Sequence, residues 1–373
     1  MLKSLTVSNF KAFENPVTID FAATGDYSFN LESIKNNLVK IAVMYGKNAS
    51  GKSSIGLAIF DIVANLTDNF INPRDYSIYQ NALHSQDLVL FEYHFKFDET
   101  EVIYKYKKQN VITILQEELK IGEKIVISYD KTNVKSDFII NLKGAENLKK
   151  DLANLQLSAV KWIKNNTALE NNEENRIFNK LFDFVNKMLF FRSLQDRAFS
   201  GYKPAPSLNI VEEIVKKGNF SELQKFFKEA GFSDELFHSH HTGKEELFIK
   251  YNNTILPFEQ VCSTGMSSLL LVFYWLEDIK DLEKCPSFIC IDEFDAFYHF
   301  ELSYFIIEKL KSYNCQVLLT THNTSIFTND LLRPDCYYIC SKSKIENAYK
   351  ATSKEIRFGH NLEKLYRGGT FGK

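Results

Sequence analysis

The stretch MYGKNASGKSS, Met44 to Ser54, lies between an apolar strand-like run, VKIAVMYG, and a run with helical periodicity, SSIGLAIFDIVANL. Few folds accept a glycine loop in that position. Gly46 and Gly51 permit backbone conformations that a side chain would block. Successive N–H groups can then converge at the positive end of the following helix, where a phosphate group is stabilised. Lys52 is expected to bridge β- and γ-phosphate, and the Ser53 hydroxyl to bind Mg²⁺. A chance glycine turn would not need a strand before it and Lys-Ser after it. The chain is therefore expected to be α/β, built round a phosphate-binding loop.

Three later stretches extend this reading. In SFICIDEFD an apolar strand ends in Asp292 and Glu293, and buried carboxylates need a reason to be there. Asp292 is placed to hold Mg²⁺ through water, and Glu293 to polarise an attacking water beside the γ-phosphate. In QVLLTTHNTS a second apolar strand ends at Thr320-Thr321 and delivers His322, which can bond the γ-phosphate and register its loss. In CSTGMSSLL, Ser263 and Gly265 precede an apolar helix and can form a second phosphate-binding helix start. An ordinary helix cap by Ser263 or Thr264 is the rival reading of that stretch.

The 373 residues suffice for one large or two ordinary domains, and the net charge of −2 does not mark the whole chain as a nucleic-acid binder. The N-terminus has no apolar core of signal-peptide length, and no run reaches the roughly 20 apolar residues of a membrane span. A cytoplasmic protein with no membrane partner is expected. The six cysteines form no CxxC pair and read as buried free thiols. The stretch HSHH, His238 to His241, reads as a polar loop rather than a metal site. From about Leu88 to Leu142 short alternating aromatic and β-branched runs predict an antiparallel meander. A helical block follows to Met188, then a strand and turn in MLFFRSLQD, more helices, and the hairpin ELFIKYNNTILPF. The last third alternates helix and buried strand. The expected division is a discontinuous core over 1–66 and 260–373, a β subdomain over 67–143, and a helical insertion or lid over 144–259.

The loop GKNASGKSS resembles that of the ABC, SMC and RecF group of ATPases. So does the order of loop, long intervening region, Ser-x-Gly before a helix, Asp-Glu and then His. NFKAF, Asn9 to Phe13, looks like the opening strand and turn of SMC- and RecF-type heads. THNTSIFTNDLLRPDCYYICSK and the closing NLEKLYRGGTFGK resemble the bacterial AbiL/RloA-like ATPases of abortive-infection and phage-defence operons. The resemblance covers both ends of the chain, and the region from about Thr67 to Glu259 only as a pattern. It implies a phosphoryl-transfer ATPase with ATP and Mg²⁺ as ligands. Gly46, Asn48, Ala49, Ser50, Gly51, Lys52, Ser53 and Ser54 would contact the nucleotide, and Ser53 and Asp292 the metal. Lys52, Glu293 and His322 would act in catalysis. The group's lid glutamine, which also touches the metal, is assigned to Gln195. Ser263 and Gly265 would complete the nucleotide site of a second subunit. ATP would then join two heads, head to tail, in a homodimer or higher oligomer. Two departures weaken the trans contacts: the signature reads Ser-Thr-Gly-Met, and His299 stands where transporters carry an aspartate.

Three functions are compatible with these features in different degrees. The first is an ATP-gated ATPase of an anti-phage module. It would act on a separate effector, a nuclease or other toxin, because no second catalytic cluster is visible in the chain. The second is a RecF- or SMC-like DNA-binding repair ATPase, which leaves DNA open as a partner. The charge balance and the closing LYRGGTFGK do not favour it, and no long heptad array supports a full SMC protein. The third, a transporter subunit, is opposed by the long insertion before a degenerate signature.

Overall fold

The helix that follows the glycine loop, Lys52–Leu66, is buried along nearly its whole length, which its almost uninterrupted apolar sequence requires. Both faces must therefore be covered. The computed structural model describes residues 1–373 apart from 23–24, 134–137, 147, 149–157, 194–197, 203–208, 242, 281–284, 298 and 373. It divides the chain into two compact units. One comprises 1–204, 286–294 and 315–373; the other comprises 205–285 and 295–314.

In the first unit one face of the helix lies on a seven-stranded sheet in the order 198–201, 188–192, 288–292, 316–320, 41–45, 337–340, 345–347. The inner five strands are parallel, and the two edge strands antiparallel. Ile41–Tyr45, Phe288–Asp292 and Gln316–Thr320 are apolar but for Gln316, Asp292 and Thr320 at strand ends, and buried at all but one position, as strands covered on both faces must be. Gly56 lets the helix approach this sheet closely. A Cβ there would stand 3.2 Å from the Cys290 sulfur and 3.3 Å from the Phe190 ring.

The other face of the helix meets the meander. Its seven strands run 139–140, 124–130, 114–121, 100–108, 89–97, 2–8, 17–20, all antiparallel. Period-two alternation places Val89, Phe91, Tyr93, Phe95 and Phe97 on one buried face. Two tyrosines among the meander's buried aromatics end on polar groups of the helix. Tyr93 donates to the Ala58 carbonyl at 2.6 Å, and Tyr106 to Asp61 Oδ1 at 2.9 Å. Asp61, the one charge on the helix after Lys52, is fully buried. Tyr79 donates to its Oδ2 at 2.7 Å, and the buried Lys108 ammonium lies 3.0 Å from Oδ1. Lys108 also donates to Asn65 Oδ1 at 3.1 Å, and burial lowers its pKa.

This pair predicts a stability effect. Removing one partner of a buried ion pair leaves a charge without compensation, a loss of about 3–5 kcal/mol. Lys108→Met should lower the midpoint of chemical denaturation by a corresponding amount. A midpoint equal to that of wild type would show that Asp61 is satisfied by its tyrosines alone.

Glu117, also buried, acts differently. It accepts from Tyr104, Ser158 and the backbone N–H of Ala159, so it caps the helix Ala159–Asn166; burial raises its pKa against those hydrogen bonds.

In the second unit the helices Ile210–Lys216, Phe220–Glu229, Thr264–Lys280 and Phe300–Lys311 accompany a three-stranded sheet, 235–241, 244–251, 254–257. Phe226 packs its ring against Phe273 and Phe305 at 5.3 and 5.2 Å.

The structure differs from expectation at three places. Met188–Arg192, inside the segment expected as an insertion, is a parallel strand hydrogen-bonded to Phe288–Asp292. Residues 260–285, expected in the core, fall in the second unit. The stretch HSHH lies in the strand Glu235–His241, not a loop. The Nδ1 atoms of His238 and His240 both reach Glu245 on the facing strand, at 2.9 and 3.2 Å, which gives each ring a polar partner within the sheet. All six cysteines are free, five of them buried. Among the described residues no cluster of His, Cys, Asp and Glu has the form of a metal site, and no helix is long and apolar enough to cross a membrane.

Candidate functional site

Three parallel strands end side by side at one edge of the sheet, where open α/β folds place their ligands. Ile41–Tyr45 runs into Gly46, Phe288–Asp292 into Glu293, and Gln316–Thr320 into Thr321 and His322. Parallel pairing sets their relative heights. Thr320 stands beside Met44, and the Thr321 N–H donates to the Met44 carbonyl at 3.1 Å.

The glycine loop itself is tightly specified. A Cβ on Gly46 would meet Ser50 Oγ at 2.4 Å and the Cys340 carbonyl at 2.6 Å. Gly51 has φ +107°, and a Cβ there would meet the Phe13 ring at 2.7 Å. NFKAF thus supports the loop from below. Phe10 and Phe13 exchange backbone hydrogen bonds, and Phe13 seats against Gly51. Ala49 is left-handed as well, with φ +60°. Asn48 and Ala49 are exposed, Ser50 is buried, and Ser53 and Ser54 on the helix start are half-buried. The buried Ser50 Oγ has no hydrogen-bond partner among the described residues, an orphan that a bound anion or its water shell would satisfy.

Lys52 folds back over the loop. Its Nζ donates to the carbonyls of Gly46 and Lys47 at 3.0 and 3.3 Å. Burial lowers its pKa, opposed by Cys340, Asp292 and Glu293. The Cys340 thiol is itself pushed up to about 11 by burial, so at neutral pH the two carboxylates are what counter the effect.

Asp292 is buried. Its Oδ1 accepts from the Thr320 hydroxyl at 2.6 Å, and the same hydroxyl accepts from the Glu293 N–H at 2.8 Å. Thr320 therefore pins both acidic residues, a role that nothing in the sequence marked. Glu293 has φ +53°, a conformation that costs a non-glycine residue about 1–3 kcal/mol. The Phe294 N–H to Thr320 carbonyl bond, 3.1 Å, holds the turn. Arg192, one strand over and in register with Asp292, has its Nε 3.7 Å from Asp292 Oδ2. His322 is exposed just beyond Thr321.

The donor set fits a hard divalent cation: a serine hydroxyl at a helix start, and a fixed aspartate whose Oδ2 no described residue hydrogen-bonds. The fit rests on Ser53 and Asp292. Gln195 lies outside the described residues. Ser263 and Gly265 belong to the second unit. Ser263 Oγ there accepts from the Met266 N–H at 3.2 Å, which is the ordinary cap, and the residue is exposed at the helix start. A Cβ on Gly265 would stand 3.2 Å from the Phe297 carbonyl.

The C-terminal text has a mechanical role. Tyr45, the last residue before the loop, stacks on Phe327 at 4.8 Å. Tyr366 and Phe371, from the closing segment, join the same aromatic group.

Among solved structures the chain is similar to an SMC head domain from Thermotoga maritima, at 14% identity over 93% of this chain and 98% of that one, with a TM-score of 0.44. A second is an Smc head bound to the C-winged helix domain of ScpA, at 14% over 92% and 96%, TM-score 0.43. A third is an Smc head with an extended coiled coil bound to the C-terminal domain of ScpA, derived from Pyrococcus furiosus, at 14% over 94% and 97%, TM-score 0.44. No curated protein matches the chain. The profile of the family described as "AAA domain, putative AbiEii toxin, Type IV TA system" matches residues 41–328, from the strand before the glycine loop to beyond His322, and the chain belongs to that family.

Proposed function

We propose that this chain binds and hydrolyses ATP with Mg²⁺, dimerises head to tail around the nucleotide, and thereby regulates a separate effector in an anti-phage defence module. The observation that carries the reading is the meeting of three strand ends: the phosphate loop, Asp292-Glu293 and Thr321-His322. Membership in a family described with a toxin of a toxin–antitoxin system supports the defence assignment.

The residues divide the work. The loop N–H groups and Lys52 hold and orient the phosphates, with Lys52 leaving its two carbonyl partners to do so. Mg²⁺, held by Ser53 and by Asp292 through water, would neutralise charge on the β- and γ-phosphates. Thr320 keeps Asp292 and the Glu293 backbone in fixed relation. Glu293 orients the attacking water and accepts its proton, and His322 reaches the γ-phosphate. Ser263 and Gly265, at an exposed helix start, close the site of a second copy. Positioning and charge stabilisation supply most of the rate in such transfers.

The trans arrangement has a direct test. Lys52→Ala and Gly265→Asp chains should each be inactive alone. Mixed, they should regain ATPase activity, since each heterodimer then has one site with an intact loop and an intact signature. A mixture as inactive as its components would exclude the shared site.

A further inference from the structure

We infer that Asp75 is a positioning residue for the metal ligand Asp292, acting through Arg192; this rests on the ATPase reading above. Arg192 and Asp292 are directly paired across two parallel strands; Asp292 is buried and Arg192 half-buried. The Arg192 Nε is buried and has no hydrogen-bond partner among the described residues, although Asp292 Oδ2 is only 3.7 Å away. A shift of under one ångström would close a direct ion pair over the oxygen that the metal's water must reach. Such a pair would satisfy a costly orphan donor, so something must oppose it.

The opposing contact is Asp75. Its Oδ1 takes the Arg192 Nη1 at 2.5 Å, and it is itself buried in the short turn Pro73–Tyr76. Asn72 fixes that turn by accepting from the Arg74 N–H. Asp75 thus anchors one arm of the guanidinium and keeps the other off Asp292. The cluster holds two carboxylates against one guanidinium. Lys11, which feels both Asp75 and Arg192, and Lys52, which feels Asp292, flank it on either side. Asp292 Oδ2, which no described residue hydrogen-bonds, is the oxygen left open to a cation.

The consequence is a change in metal affinity without loss of the phosphate loop. In Asp75→Asn the charged anchor is gone and Arg192 closes on Asp292. The Mg²⁺ concentration that half-saturates binding of N-methylanthraniloyl-ATP, followed by fluorescence, should rise about tenfold, the lower end of what outer contacts of metal ligands contribute. Binding of the same probe without Mg²⁺ should not change. Asp75→Asn/Arg192→Gln should return to the wild-type half-saturation, because nothing is left to cover Oδ2. Arg192→Gln alone, which serves if Asp75→Asn does not fold, should need no more Mg²⁺ than wild type. An unchanged half-saturation in Asp75→Asn, a double variant that behaves like Asp75→Asn, or a raised requirement in Arg192→Gln would each overturn the inference. A wild-type chain that binds no probe at any Mg²⁺ concentration would instead overturn the ATPase reading itself.

Discussion

Lys52→Ala should bind ATP about 10²–10⁴-fold more weakly than wild type and still fold. A charge-assisted hydrogen bond is worth about 1.5–3 kcal/mol, and Lys52 is proposed to make one to each of two phosphates. Its contacts in the nucleotide-free chain are the neutral carbonyls of Gly46 and Lys47. Burial of the ammonium outweighs those bonds, as its lowered pKa reflects, so their loss should cost the empty protein little. Calorimetric titration with ATP and a thermal melt of the same sample separate the two effects. Affinity equal to wild type in a folded variant would remove Lys52 from the site.

Glu293→Gln should lose about 10²–10⁴-fold in hydrolysis rate, the usual contribution of a positioned general base. ATP and Mg²⁺ should still bind, because Lys52, Ser53 and Asp292 are untouched. The backbone should tolerate the change. The φ of +53° is held by the Thr320 hydroxyl and carbonyl acting on backbone N–H groups, not by the carboxylate. Phosphate release under single-turnover conditions reads the effect. A wild-type rate would mean that another group activates the water.

How much of this was legible in the sequence depended on distance along the chain. The loop, the helix after it and the meander are written locally, as glycine spacing and as alternation in VLFEYHFKF. The ends of the acidic strand and of QVLLT were equally clear, because a buried apolar run that stops at polar residues marks a strand terminus. Pairing between distant segments was not legible. MLFFR reads as a strand, but nothing in five residues says that its neighbour is Phe288–Asp292. The same holds for Asp61 with Lys108, 47 residues apart, and for Asp75 with Arg192, 117 apart. Each looks like an ordinary surface charge until the fold buries it with its partner. Thr320 was missed for a different reason. It reads as the end of a strand, which it is, and only the neighbouring strand shows that its hydroxyl also pins Asp292 and Glu293. The HSHH stretch has the polar composition of a loop, and only its place facing Glu245 in the hairpin makes it a strand.

The account turns on ATP acting as the join between two copies of the chain. Light scattering on Glu293→Gln, eluted from a sizing column with Mg²⁺ and ATP, with Mg²⁺ and ADP, and with no nucleotide, tests it most directly. The account predicts twice the mass in ATP of that seen under the other two conditions. The same mass under all three, in a sample shown to retain ATP, would contradict it.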